Sequence, residues 1–252
     1  MSKIVLMYHC VYCNDYGESG FQSGNAWQYK VNLTDFESQV KAVAEYCGEC
    51  KIDKNHIEFT FDDGGVSFSE YIAPILEKYG YKGVFYISTK YINTKGFLSS
   101  NQILELSKRG HIIGSHTHSH PVNIGKMSKE QILEEWIESI KILENITNTK
   151  IDRGSIPNGN GCSLVYEMAE KTGIKVLDTS IPAISIPNYN NMQIRGRFVI
   201  HNKTNVFDVI RLISNPNKRR VMYLKWWILS KIKRLLGERY DYVKSLWLNI
   251  NK

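Results

Sequence analysis

Phe59-Thr-Phe-Asp62-Asp63-Gly64-Gly65 closes a short apolar run with two adjacent carboxylates and two glycines. The run reads as a strand over 57–61, and a helix-like segment at 66–79 follows it. Next comes Gly83-Val-Phe-Tyr-Ile-Ser88, whose β-branched and aromatic density marks a buried strand. The alternation continues in both directions. Strands are expected at 3–8, 83–88, 111–115, 151–156, 174–178 and 197–201, with helices at 34–46, 100–109, 128–146, 162–172 and 205–214. Thr34-Asp-Phe-Glu37 has the form of a capping box, and Gly80, Gly110 and Gly173 stand where helices should stop. Seven strands separated by helices predict an α/β fold, a distorted (β/α)7 barrel, in which chemistry sits on the loops after the strands' C-terminal ends.

At 252 residues the chain suits one barrel-sized domain, over residues 1–214, followed by a basic helical tail at 215–252. The net charge of +7 is uneven: the tail holds ten Lys/Arg against two Asp/Glu, leaving 22 against 23 for the rest. A near-neutral body without a basic groove argues against nucleic acid as a partner, and the charge speaks only of what the tail meets. No stretch reaches the roughly 18 uninterrupted apolar residues of a membrane span. The apolar start Met1-Ser-Lys-Ile-Val-Leu-Met-Tyr-His9 has no basic leader region and no small-residue cleavage site, so it reads as the first strand and a cytoplasmic protein is expected. Cys10/Cys13 and Cys47/Cys50 form two C-x-x-C pairs, yet the gap between them exceeds the usual zinc-ribbon spacing, and unrelated reduced thiols are the expectation.

Two strand ends carry the chemistry. Adjacent buried carboxylates at Asp62 and Asp63 are costly unless a cation neutralises them. Gly114-Ser115-His116-Thr117-His118-Ser119-His120-Pro121 places three imidazoles at alternating positions. His116 and His120 are four apart, so one turn of the loop can bring them together with Asp63 as a two-His, one-carboxylate site with open positions. Either motif alone is ordinary: Asp-Asp-Gly suits a surface turn, and a His-rich loop can be merely solvated. Together, on two strand ends, they point to metal chemistry.

Thr60-Phe-Asp-Asp-Gly64 followed by His116-Thr-His-Ser-His120-Pro121 resembles the polysaccharide deacetylases with the NodB homology domain, carbohydrate esterase family 4. Met7-Tyr-His9, Gly83–Ser88 and Gly110-His-Ile-Ile-Gly-Ser-His116 add to the likeness, which covers residues 3 to 201. The resemblance implies a NodB-type barrel and metal-dependent removal of an N-acyl group, most simply acetyl, from an amino sugar. It implies Asp62 as catalytic base and Asp63, His116 and His120 as ligands of a divalent ion, zinc above cobalt or nickel. Ser155-Ile-Pro157-Asn158-Gly159 stands at the family's Arg-x-Pro-x-Gly motif, which makes the Asn158 backbone N–H the implied oxyanion donor. The family arginine that orients the base is replaced by Ser155, and Arg153, Arg195 or Arg197 could substitute. Val199-Ile-His201 resembles the late motif that supplies the general acid, so His201 is the implied proton donor. His9 is expected to line the pocket. His118 is expected to pack, and His56 and His111, which precede strands, to be structural.

The implied substrate is an N-acetylated sugar, nucleotide-linked, lipid-linked or oligosaccharide. Two other readings remain open: an amidohydrolase of the same superfamily acting on a ring amide, and a catalytically inactive glycan-binding protein at the membrane. A sugar-sized groove, rather than a small closed pocket, would separate the first from the deacetylase. In the tail, residues 219–236 project as a helix with Val221, Met222, Leu224, Ile228, Leu229, Ile232, Leu235 and Leu236 on a broad apolar face and bases around the rest. That pattern fits peripheral contact with an anionic membrane through 218–248, and it fits equally a helix packed on the barrel.

Overall fold

The computed structural model of the chain describes residues 3–236, with side chains described as far as Ile232. The part of the expected membrane-contact segment at 237–248 lies outside the described residues.

Eight strands form one parallel sheet, one strand more than the sequence predicts. They are β1 (Ile4–Tyr8), β4 (Ile57–Phe61), β5 (Gly83–Ile87), β6 (Ile112–Ser115), β7 (Arg153–Ser155), β8 (Val176–Asp178), β9 (Gln193–Arg195) and β10 (Phe198–Val199). Their order is β10-β1-β4-β5-β6-β7-β8-β9. The extra strand is β9, which escapes the sequence reading because it has three residues and follows an irregular stretch. β2 (Val11–Tyr12) and β3 (Val31–Asn32), which pair in a separate small sheet, were likewise not expected. β9 and β10 are the two edges of the large sheet, yet only Gly196 and Arg197 separate them in sequence. The two run in the same direction, so they are halves of one kinked strand, paired first with β8 and then with β1, that curls the sheet into a barrel.

Helices α1 (Leu33–Glu49), α2 (Ala73–Lys78), α3 (Ser100–Lys108), α4 (Lys129–Thr147), α5 (Ser163–Lys171) and α6 (Val206–Ser214) connect the strands or follow the last one. α1 is not capped by Thr34 as predicted. Asn32 caps it, because its Oδ1 accepts both the Thr34 N–H at 3.0 Å and the Thr34 hydroxyl at 2.7 Å, leaving that hydroxyl engaged. The helix expected at 66–79 is a π-turn over Phe68–Ile72 followed by the shorter α2, in whose first turn Pro74 needs no hydrogen-bond acceptor. β4 and β5 are buried along their whole length, as their apolar runs require.

The barrel interior is not wholly apolar. Glu58, Tyr86, Asp178 and Arg195 form a buried network, with Arg195 on Asp178 at 2.6 Å and on Glu58 at 2.7 Å, and the Tyr86 hydroxyl donating to Asp178 at 2.7 Å. Each buried charge has a partner, as burial demands. Cys10 and Cys47 are buried, Cys13 and Cys50 are exposed, and among the described residues no cysteine joins a cluster able to hold a metal.

α7 (Pro216–Leu236) follows α6 after a single residue, Asn215. Its first turns are fixed to α6: Arg219 donates to the carbonyls of Leu212 and Ile213 in the last turn of α6 at 2.7 and 2.8 Å, and Lys218 pairs with Asp208 in the first turn of α6 at 2.6 Å. Met222 packs against the core. The other described members of the apolar face found in the sequence do not: Val221, Leu224, Ile228, Leu229 and Ile232 are exposed.

Candidate active site

Each residue singled out by motif leaves a strand at the same end of the barrel. His9 follows β1, Asp62 and Asp63 follow β4, His116 follows β6, Pro157 and Asn158 follow β7, and His201 follows β10. They meet around a groove of about 680 Å³, which His9, Asp62, Asp63, His116, His120, Asn158 and His201 all line. Backbone strain gathers here as well. Asp63, Thr117, His120 and Asn158 have φ of 86°, 63°, 56° and 55°, a left-handed region that non-glycine residues, and β-branched Thr above all, rarely enter.

The ligand atoms of Asp63, His116 and His120 lie within 4.8 Å of one another. Oδ1 of Asp63 stands 3.5 Å from Nε2 of His116 and 3.4 Å from Nε2 of His120. Nδ1 of His116 lies 3.0 Å from the carbonyl oxygen of Ser155. Donation there fixes the tautomer and leaves Nε2 free as a ligand. Burial alone would raise the Asp63 carboxyl, but hydrogen bonds from His116 and His120 hold it well below the carboxylate range. A permanently negative oxygen between two imidazole nitrogens is the donor set of a divalent transition metal, so the residues fit the ion that the sequence implies.

Asp62 stands beside this cluster, its Oδ2 4.0 Å from Nε2 of His116. It is buried, and burial raises its pKa, but the Arg197 guanidinium outweighs that and holds it below the ordinary value. Arg197 grips both carboxylate oxygens, NH1 to Oδ1 at 2.6 Å and NH2 to Oδ2 at 2.7 Å. Of the three arginines that could replace the missing one, this is the one that reaches: Arg153 pairs with Glu58 at 3.2 Å, and Arg195 is spent on Asp178 and Glu58. Ser155 is part of the exchange. Its small side chain leaves room for the fully buried guanidinium, accepts from NH2 of Arg197 at 3.0 Å, and donates to Oδ2 of Asp62 at 3.1 Å.

The opposite wall is aromatic. His9 stacks on Tyr29 with ring centres 4.6 Å apart, and Tyr29 meets His201 at 5.1 Å. Burial lowers the pKa of both imidazoles, but only His9 also feels Asp63, Asp62 and His116. His9 therefore lies nearer the reacting centre than His201. Nδ1 of His9 is buried without a hydrogen-bond partner. Phe21, at 4.8 Å from the His120 ring, and Tyr91 complete the lining. Phe21, Tyr29 and Tyr91 were not picked out from the sequence, because they stand outside any motif, Tyr29 and Tyr91 each ending a short 3-10 turn. His118 turns away, with Nδ1 2.9 Å from the Thr89 hydroxyl. His111 accepts the Gly83 N–H at 3.0 Å, and Nδ1 of His56 lies 3.2 Å from the Asp53 carbonyl oxygen.

Comparison with known proteins follows the same residues. The family model described as polysaccharide deacetylase matches residues 50–177. The Bacillus subtilis protein YxkH is 27% identical over 192 residues, covering 71% of this chain and 64% of that one. The peptidoglycan-N-acetylglucosamine deacetylase of Bacillus cereus is 30% identical over 95 residues, covering 37% of this chain and 33% of that one. The chain thus matches less than two thirds of the length of these curated relatives. Among solved structures, a polysaccharide deacetylase from Bacillus cereus superposes with TM-score 0.69 at 23% identity, covering 85% of this chain and 69% of that one. The Streptococcus pyogenes deacetylase PplD in complex with acetate gives TM-score 0.66 at 18% identity, covering 85% and 99%. At these identities the two structures speak for the fold.

Proposed function

The chain belongs to the polysaccharide deacetylase family, and from that premise we propose that it is a metal-dependent hydrolase that removes an N-acyl group, most simply acetyl, from an amino sugar. The observation that carries this reading is a division of labour among carboxylates. Asp63 joins His116 and His120 in a cluster fit for a metal, while Asp62, ionised and clamped by Arg197, stands apart from it in the same groove.

Asp63, His116 and His120 would hold a divalent ion, zinc before cobalt or nickel. That ion supplies Lewis acidity toward the acyl carbonyl and makes a water easier to deprotonate. Asp62 takes a proton from the attacking water. Its lowered pKa makes it a weak base that is always ready, a suitable partner for a water acidified by a metal. The backbone N–H of Asn158, on the groove wall, is the candidate donor to the acyl oxygen as charge develops there. The C–N bond breaks as an imidazole gives the sugar nitrogen a proton, and acetate and a free amine leave. His9, stacked on Tyr29 in the groove wall, is one candidate for that donor. His201, beyond Tyr29 and the residue favoured by motif, is the second candidate.

A groove of about 680 Å³ walled by Phe21, Tyr29 and Tyr91 favours a sugar unit over a small ring amide. The named Bacillus cereus relative makes an N-acetylglucosamine unit the first substrate to try. The Arg197 clamp counts against an inactive glycan-binding protein, because it gives Asp62 the guanidinium that Ser155 at the motif position lacks. Acetate release should be measured on free, nucleotide-linked and oligomeric N-acetylated amino sugars with zinc, cobalt or nickel. Release that Asp62→Asn lowers by about 10²- to 10⁴-fold at unchanged metal content is the expected result. Full activity of Asp62→Asn would refute the assignment of the base.

A further inference from the structure

We propose that the outward face of α7 docks on an anionic membrane surface, lying flat in the headgroup region. Val221, Leu224, Ile228 and Ile232 recur at the spacing of one helical face. All four are exposed, Leu224 at 54% and Ile228 at 44%, and Leu229 at the edge of the stripe at 52%. The opposite face is the one that meets the barrel, through Arg219 and Met222. The apolar stripe is thus turned away from the barrel, and core packing does not account for it.

Charge selects the occupant. Exposed Arg220 and Lys231 flank the stripe on one side and exposed Lys225 on the other, and the Lys231 ammonium lies 5.5 Å over the ring of Trp227. Trp227 and Tyr223 are exposed beside them, the residue types that settle at headgroup depth. Between Pro216 and Leu236 stand seven bases and no acid. A second copy of α7 laid on this face would therefore bring like charges together, whereas anionic headgroups neutralise them. No helix among the described residues is long and apolar enough to cross a membrane, so a surface-lying mode is the one open to α7.

The test uses the full chain with phosphatidylglycerol-containing vesicles and with pure phosphatidylcholine vesicles, read by co-sedimentation. The proposal expects binding to the anionic vesicles only. Binding should weaken as salt rises, because the surface potential is screened within about 8–10 Å at physiological ionic strength. It should fall roughly fivefold for each base removed in Lys225→Ala and Lys231→Ala. Ile228→Glu should abolish it while the melting temperature and the hydrolysis of a small soluble substrate stay as in the parent. Equal binding to both vesicle types overturns the proposal, and so does Ile228→Glu binding as well as the parent. A chain that ignores vesicles but forms a dimer, lost in Ile228→Glu, overturns it in favour of a second copy.

Discussion

Asp62 keeps its charge inside the barrel because Arg197 binds both of its oxygens and Ser155 donates a third hydrogen bond. Taking one partner from a buried pair leaves the other uncompensated, at a cost of about 3–5 kcal/mol. Arg197→Ala should therefore lower the urea midpoint by that equivalent and reduce turnover, since the base loses its orientation. The two losses share one cause, and a second substitution can show it. Ser155→Arg, made in the Arg197→Ala background, returns a guanidinium beside Asp62 from β7 and should restore part of both. Ser155→Arg alone should destabilise, because two guanidiniums would compete for one carboxylate. Arg197→Ala with normal turnover would remove Arg197 from the site's machinery. The proton donor can be settled in the same assay: His9→Ala should cost more turnover than His201→Ala at equal metal content, and the reverse order would return the role to His201. These residues differ in how plainly the sequence shows them. The Asp63–His116–His120 cluster is legible because two of its members share one short loop and the third follows a strand in a recognisable run. The Arg197–Asp62 pair joins positions 135 apart, and the linear order offers three arginines of equal standing. Only three-dimensional placement separates them.

Between β9 and β10 the chain passes from pairing with β8 to pairing with β1 at Gly196. A Cβ there would collide with the backbone oxygens of Ile181 and Ala183, which cannot swing aside as a side-chain tip can. Gly196→Ala should shift Arg195 and Arg197 together, lowering stability by about 2–3 kcal/mol and turnover with it. Normal urea midpoint and turnover in this variant would show that the kink can adjust. At the other end of the barrel, His111 accepts the Gly83 N–H at the start of β5, and burial, opposed by the Glu77 charge, lowers its pKa to about 4. Between that value and the usual 6.5, the unfolded chain binds a proton that the folded chain refuses. This contribution is whole above pH about 6.5 and is lost as pH falls toward 4, on the order of 2–3 kcal/mol across the window. Urea midpoints measured from pH 7 to 4 should show the slope, and His111→Asn, whose Oδ1 can take the place of Nδ1, should flatten it. An unchanged slope in the variant would assign the acid sensitivity elsewhere. Five-residue elements rich in β-branched and aromatic residues, such as β4 and β5, announce themselves in sequence. β9 does not, because three residues carry too little periodicity to read, and its place is set by pairing with β8.

The whole molecule has two ends with different work. The groove opens where the strands finish, and α6 begins just beyond His201 on that side. α6 then runs back along the barrel, so its last carbonyls, where Arg219 fixes α7, lie about 13 Å away along the helix axis. Alternating α/β pattern and uneven charge made the barrel and the basic helix legible. Which face of that helix the barrel would cover was not, since apolar periodicity is the same for a face that packs and one that does not. The barrel is closed by one kinked strand with short pairings, three residue pairs with β8 and two with β1. Where β9 passes into β10, pairing with β8 gives way to pairing with β1, and Arg197, which clamps Asp62, stands at the kink. Warming should part the wall first along this line, a local opening cheaper than loss of the core. Turnover should then fade several degrees below the calorimetric melting temperature, with amide exchange rising first around 193–199, and both should recover on cooling. Coincident loss of activity and structure would instead make the kink as firm as the rest of the wall. If activity does go first, the protein has an interval of temperature in which it is folded but idle, and a thermal history short of melting leaves no damage behind.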